Sequence, residues 1–306
     1  MTAPMRIAVA GVGAVGAVVA YRLAAAGNHV TLVARGQRAE QLRSTGLQLA
    51  RLPAIAADVV GAAELPEQDA IFLAVKEQGL APLLEELAAA IAAETLVIPL
   101  VNGIPFWMLA DHACPGELVG AAVYVVSRLD AAGVAHPTPN ARLTLGLPHG
   151  ASIPRLDALA AMLTTGGIVT KVSADIRADI WAKMALNLAT NPLSVVSGAT
   201  LHDQFHDPAL NLIVRAMLEE AVSAGQALGV ASAMTVDAMM DVGRAVGPVE
   251  TSMLQDYKAG RPLELEAIAL RCLNLAESRG MSMPVANTVV SLAGFAGRQA
   301  SSNIQG

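Results

Sequence analysis

The sequence predicts an α/β protein: an N-terminal Rossmann-type dinucleotide-binding domain followed by an all-helical C-terminal domain. Three observations carry that expectation. A glycine-rich turn, Gly11-Val12-Gly13-Ala14-Val15-Gly16, stands between a strand-like run and a helix-like run. Short apolar runs recur as far as Ser173, as in a parallel sheet covered on both faces. Beyond Ser173 strand-like runs cease and helical periodicity takes over, which places a boundary near Ala174 and domains at 1–173 and 174–306.

Composition supports a compact globular chain. Of 306 residues, 54% are hydrophobic and 15% charged, while only 3% are aromatic, so the core must be built from Ala, Val, Leu, Ile and Met. A net charge of −6 without a Lys/Arg run gives no reason to expect a nucleic-acid partner. Cys114 and Cys272 lie far apart and in no metal-ligand spacing, which reads as two reduced, buried thiols of a cytoplasmic protein and no metal site. The apolar N-terminus has the composition of a signal peptide, but its regularly spaced glycines and near-absence of basic residues argue against one. No stretch reaches the roughly 18 uninterrupted apolar residues of a membrane span.

Taken in order, Met5–Ala10 is a buried strand, and the helix after the glycine turn ends at Gly27. His29–Ala34 is the second strand. In this β-turn-helix-β setting the glycines permit a tight turn and close approach of backbone to a pyrophosphate, which the helix N-terminus would hold. The second strand ends Val33-Ala34-Arg35-Gly36-Gln37-Arg38, where an NAD site usually carries an acid. Arg35 occupies that place and can fork onto a 2′-phosphate, so NADP(H) is expected over NAD(H). Arg38 is either a second phosphate contact or a surface arginine. Gln48–Val60 reads as short strand pieces turning at Pro53.

Ala70–Val75 is a buried strand with Lys76 at its carboxyl end, the ligand edge of a doubly wound sheet. Lys76 is therefore a cofactor-side candidate, or else a solvated lysine at a helix start. A helix over Leu80–Ala93 and a strand over Thr95–Leu100 follow, and Asn102-Gly103 ends that strand both as a turn former and as an amide at the ligand edge. Ala121–Arg128, Gly133–His136 and Ala141–Gly146 read as an antiparallel extension of the parallel sheet, with His136 structural, and Ile168–Ser173 is the last strand.

In the helical half, Trp181–Ser194 (WAKMALNLATNPLS) draws attention. On a helical wheel Lys183, Asn187, Thr190, Asn191 and Ser194 fall within about 100° of arc, and the rest of the circumference carries Met, Ala, Leu and Pro. One lysine, two amides and two hydroxyls suit a site that grips and protonates a small polar molecule, although a short exposed helix face would share the pattern. Pro192 should kink this helix. Two other spots carry chemistry: Thr251-Ser252-Met-Leu-Gln-Asp256, and Pro262-Leu-Glu264-Leu-Glu266, read as a helix start with Pro near N1. Glu264 there is open to a plain reading as a first-turn acid stabilised by the helix dipole.

GVGAVG, LVAR, AVK, VNG, DIWAKMALNLATNPLS and TSMLQDYKAGRPLELE occur in that order over nearly the whole chain. Together they resemble the ketopantoate reductase (2-dehydropantoate 2-reductase) family. The K-x3-N-x3-NPL helix and the SMLQD-x7-E segment are specific to it, whereas the glycine loop marks only a nucleotide fold. The resemblance implies Lys183 as general acid and Glu264 as its supporting acid. It implies Asn102, Asn187, Asn191 and Ser252 as substrate-binding groups. The loop from Gly11 to Gly16, with Arg35, Lys76 and Asn102, falls on the NADPH side. It further implies NADPH-dependent reduction of 2-dehydropantoate to (R)-pantoate, a step of pantothenate biosynthesis. The apolar helical domain allows a homodimer but does not demand one. Thr190 and Ser194 receive no role from the resemblance. Val101 stands where the family often has Gln before Asn-Gly, which leaves open a different 2-oxo acid. A non-catalytic NADP(H)-sensing protein would keep the loop and Arg35 but would not need the lysine, glutamate and amides.

Overall fold

The structure is a computed structural model describing residues 5–305, with the side chains of residues 5–300. Its contacts divide the chain into two units, Met1–Ile176 and Arg177–Gly306. The first unit runs β1 (Ile7–Ala10), α1 (Ala14–Ala25), β2 (Val30–Val33), α2 (Gly36–Thr45), β3 (Asp58–Val60), β4 (Gln68–Leu73), α3 (Glu77–Glu86) and β5 (Ile91–Pro99). It continues through α4 (Pro105–Met108), β6 (Glu117–Leu118), β7 (Gly120–Tyr124), β8 (Ser127–Leu129), β9 (Ala135–Pro137), β10 (Arg142–Gly146), α5 (Pro154–Thr165) and β11 (Val169–Val172).

Six strands form a parallel sheet in the order β3-β2-β1-β4-β5-β6. Every residue of β1 and β2 is buried, as expected of central strands covered on both faces. The strand order reverses between β1 and β4, so the glycine turn after β1 lies at the switch point where such sheets bind ligands.

The expected antiparallel extension of this sheet does not form. The two-residue β6 closes its edge, and β7, β10 and β11 make a separate three-stranded sheet, antiparallel between β7 and β10 and parallel between β10 and β11. The run expected as one strand over Ala121–Arg128 breaks at Val125-Val126; β8 then pairs with β9 as an isolated hairpin. Short apolar runs specify strands, not their partners. The helix expected over Leu80–Ala93 is α3, three residues earlier, followed by a 3-10 turn at Ala88–Ala90, and Ile91 already belongs to β5. A run of alanines continued the apolar period past the real helix end. Three helices of the first unit lay outside the expectation: α2, which buries only Ala39 and Leu42, the four-residue α4, and α5.

The second unit is helical: α6 (Ile176–Ser197, beginning at the boundary), α7 (Leu201–His206), α8 (Pro208–Ala227), α9 (Val236–Arg244), α10 (Ser252–Lys258), α11 (Arg271–Ser278) and α12 (Pro284–Gln305). Trp181 of α6 is fully buried and its indole N–H donates to the Ala221 carbonyl of α8 at 2.9 Å. The Glu220 carboxylate accepts the Val285 and Ala286 amides, each at 2.9 Å, and so caps α12. Val195, Met253, Ile268 and Ala293 form a small core that ties α6 and α10 to α12. The helix α6 continues through Pro192 without a break. No helix among the described residues is long and apolar enough to cross a membrane. Cys272 is buried and its thiol is pushed up to about 12, whereas Cys114 is only half-buried, against the expectation of two buried thiols; both are free.

Candidate active site

The first unit holds a groove of about 530 Å³ at the carboxyl ends of β1 and β2. Gly11, Val12, Gly13, Arg35 and Arg38 line it, with Val75 from the connection between β4 and α3 and Gln78 from the first turn of α3. Gly11 takes φ +90°, and a Cβ there would lie 2.7 Å from the Ala74 carbonyl oxygen. A Cβ on Gly16 would meet the Gly11 backbone oxygen at 2.1 Å, so α1 approaches the turn as closely as it does only because residue 16 is glycine. Gly13, the N-cap of α1, faces open space, with no heavy atom within 4 Å of a built Cβ. The start of α1 has no side-chain cap and no acid in its first turn. Its backbone N–H groups are thus left for an anion, which fits a dinucleotide pyrophosphate.

Arg35 is exposed at the N-cap of α2 on the rim of this groove. Arg38 is not a surface arginine. Its Nε donates to the Val12 carbonyl at 2.9 Å, and its Nη1 donates to Gln41 Oε1 at 2.8 Å and to the Gly133 carbonyl at 3.0 Å. Gln41 also donates to the Ala132 carbonyl. Arg38 therefore fastens the glycine turn to the tip of the β8–β9 hairpin. Its Nη2 is buried with no hydrogen-bond partner among the described residues, and burial lowers its pKa. The hairpin is braced in turn by Asp130, which accepts from the Val134 amide at 2.9 Å and bonds His136 Nε2 at 2.7 Å. The His136 contact first, then the Val134 amide, hold the Asp130 carboxyl below its ordinary range. His136 is structural, as expected. Among the described residues neither Lys76 nor Asn102 lines the groove. Lys76 is the exposed N-cap of α3, and Asn102 is half-buried just after β5, behind a buried Val101.

In the second unit the polar arc of α6 grades from half-buried to buried. Lys183 and Asn187 keep partial exposure; Thr190, Asn191 and Ser194 are at most 5% exposed. The arc is not a wet helix face. Burial lowers the Lys183 ammonium from its ordinary 10.5 to about 8, against an opposing pull from the Glu264 carboxylate. Glu264 is half-buried and immediately precedes helix, with its carbonyl accepting the Ile268 amide at 3.2 Å. The helix thus opens at Leu265, and Pro262 lies outside it, three residues from where it was expected; the first turn, Glu266–Leu270, is π-helical. Ser252 is exposed at the first position of α10, whose N-cap Thr251 accepts the Leu254 amide at 3.1 Å.

A family profile described as "Ketopantoate reductase PanE/ApbA" matches residues 7–150, and one described as "Ketopantoate reductase PanE/ApbA C terminal" matches residues 175–296. The chain belongs to the ketopantoate reductase family. A 2-dehydropantoate 2-reductase of Mesorhizobium japonicum is 31% identical, covering 94% of this chain and 96% of that protein. The solved 2-dehydropantoate 2-reductase of Methylococcus capsulatus shares the fold with a TM-score of 0.86 at 27% identity, over 97% of this chain and 98% of that one. A D-mandelate dehydrogenase solved with NADH and anilino(oxo)acetate has a TM-score of 0.87 over 97% of this chain and 99% of that one; at 20% identity it shows the fold alone. The chain is accordingly an oxidoreductase with a dinucleotide-binding fold.

For a ketopantoate reductase family member the structure groups the predicted residues into two sets. The glycine turn and Arg35 share the groove of the first unit, and Lys183 feels the charge of Glu264 in the second. What sequence reasoning missed is the support behind them. Arg38 reaches Gly133, 95 positions away, and Thr251 reaches Ser194, 57 positions away. No local pattern announces a contact at that separation.

Proposed function

We propose that this chain reduces 2-dehydropantoate (ketopantoate) to (R)-pantoate with NADPH, a step of pantothenate biosynthesis in the cytoplasm. The observation that carries this reading is the Lys183 ammonium, drawn down to about 8 by burial and supported by Glu264. An acid tuned toward neutrality is still charged at pH 7 and gives up its proton readily. The glycine turn and the start of α1 would hold the pyrophosphate, Arg35 the 2′-phosphate, and Lys76 would contribute on the same side. The bound reduced nicotinamide would supply hydride for the C2 carbonyl carbon. Lys183 donates a hydrogen bond to the carbonyl oxygen and transfers its proton as that oxygen gains charge, so its contribution grows toward the transition state. Glu264 keeps the lysine charged. Asn102, Asn187, Asn191 and Ser252 fix the substrate carboxylate and hydroxyl without adding competing charge.

A second reading, reduction of another 2-oxo acid by the same residues, is favoured by one observation: the buried, apolar Val101 next to Asn102. A solution dimer agrees with either, and a Staphylococcus aureus relative of the same fold is described as a dimeric ketopantoate reductase. NADPH oxidation assayed with 2-dehydropantoate and a panel of branched and aromatic 2-oxo acids separates the readings. The main proposal expects the highest kcat/KM for 2-dehydropantoate. Turnover of none of the acids by a protein that binds NADPH would refute both and leave a nucleotide sensor.

A further inference from the structure

Ser194 and Thr251 are buried hydroxyls on different helices, 0% and 5% exposed, with their oxygens 2.6 Å apart. Each hydroxyl has one proton to give, and counting protons fixes the direction of the contact. Ser194 Oγ lies 2.6 Å from the Asn191 carbonyl, which can only accept, so Ser194 donates there. Thr251 must then donate to Ser194 Oγ. The Thr251 oxygen remains an acceptor for the Leu254 amide at the start of α10. The result is a directed chain: Leu254 N–H to Thr251, Thr251 to Ser194, Ser194 to the Asn191 carbonyl.

The two ends of this chain matter. One is the backbone of Asn191. The other is the N-cap that sets the first turn of α10, where Ser252 stands. We infer that Ser194 and Thr251 are positioning residues that fix the spacing between the Asn191 amide and the Ser252 hydroxyl, and so set the fit of the substrate's polar groups. The inference rests on the proposed substrate roles of Asn191 and Ser252. A simple cap needs only Thr251. The buried partner on α6 adds nothing to an N-cap hydrogen bond, but it does join the helix of one substrate group to the helix of the other. A third hydroxyl, Thr190, donates to the Leu186 carbonyl at 2.7 Å and lies 3.5 Å from Asn191 Oδ1, so the same amide is flanked from within its own helix.

The test compares Ser194→Ala, Thr251→Val, the double variant and Thr251→Ser with Asn191→Ala and Ser252→Ala as controls. Steady-state KM for 2-dehydropantoate is measured beside the NADPH dissociation constant and the melting temperature. Displacing a substrate group by a fraction of an ångström costs on the order of tenfold. Ser194→Ala and Thr251→Val should each raise KM about tenfold with NADPH binding unchanged. The double variant should be no worse than either single one, because one chain is broken only once. Thr251→Ser, which keeps the hydroxyl, should restore KM. Wild-type KM in Ser194→Ala and Thr251→Val beside raised KM in the two controls would overturn the inference alone, even if melting temperatures fell. Wild-type KM in the controls would overturn the substrate assignment and the inference with it.

Discussion

Replacing Glu264 with Gln should move the alkaline limb of the pH–rate profile to lower pH. The Lys183 ammonium stands at about 8 because burial outweighs the attraction of Glu264. Gln keeps the shape of the side chain and removes only its charge. A nearby opposite charge typically holds a pKa about 1–3 units higher, so the variant should place Lys183 at roughly 5–7. At pH 7.5 the wild-type lysine is roughly three-quarters protonated; a lysine at about 6 is roughly 3% protonated. The predicted loss in kcat/KM at that pH is therefore about 25-fold. The loss should shrink steadily toward acid pH. The assay is kcat/KM for the 2-oxo acid at saturating NADPH across the range from about pH 5.5 to about pH 9.5. A limb that stays near 8 in Glu264→Gln would refute the claim that Glu264 controls the lysine's charge. A wild-type limb far from 8 would refute Lys183 as the acid. The same shift has a stability side. Below about 8 the lysine is charged in both folded and unfolded chains, and the fold bears the full cost, about 3 kcal/mol. Between about 8 and 10.5 only the unfolded chain stays protonated, so stability at Lys183 rises with pH.

Three further outcomes can be measured. Lys183→Ala should lower kcat by about 10²–10⁴ while NADPH titration by fluorescence is unchanged; near wild-type turnover would remove it from the chemistry. Arg35→Ala should weaken NADPH about 10- to 100-fold, the worth of a charge-assisted bond, and leave NADH nearly untouched. Equal losses for both nucleotides would end the 2′-phosphate argument. Arg38→Met should weaken NADPH and NADH alike, because Arg38 holds the Val12 carbonyl on the glycine turn. A loss confined to NADPH would show its buried Nη2 to be a phosphate contact instead.

The parallel sheet was legible because its strands are short apolar runs and its first turn has spaced glycines, of which Gly11 and Gly16 are sterically required. The change to helices near residue 174 was legible from periodicity, and the polar arc of α6 from helical geometry. The failures have physical causes. Strands β7 to β11 were readable as strands from their short apolar runs, but such a run names no partner, and a two-residue β6 closes the edge of the main sheet. Helix α2 buries two residues and so left almost no apolar signal. Glu264 was set inside a helix by Pro262, yet the backbone begins that helix at Leu265 with a π turn, which no side-chain pattern encodes. The hydroxyls of Ser194 and Thr251 showed no role in sequence because each gains its meaning only from the other.

The β8–β9 hairpin belongs to neither larger sheet, and it packs on α1 while its tip is tied to α2 through Arg38 and Gln41. The glycine turn, α2 and the tip at 130–133 are thus tied to one another by side-chain hydrogen bonds of Arg38 and Gln41. Mass action then applies to all three. A nucleotide at 100 times its dissociation constant lends about 2.7 kcal/mol to the folded form. Residues some 120 positions beyond the glycine turn would draw on that free energy, so the cofactor also serves this unit as a tertiary fastener.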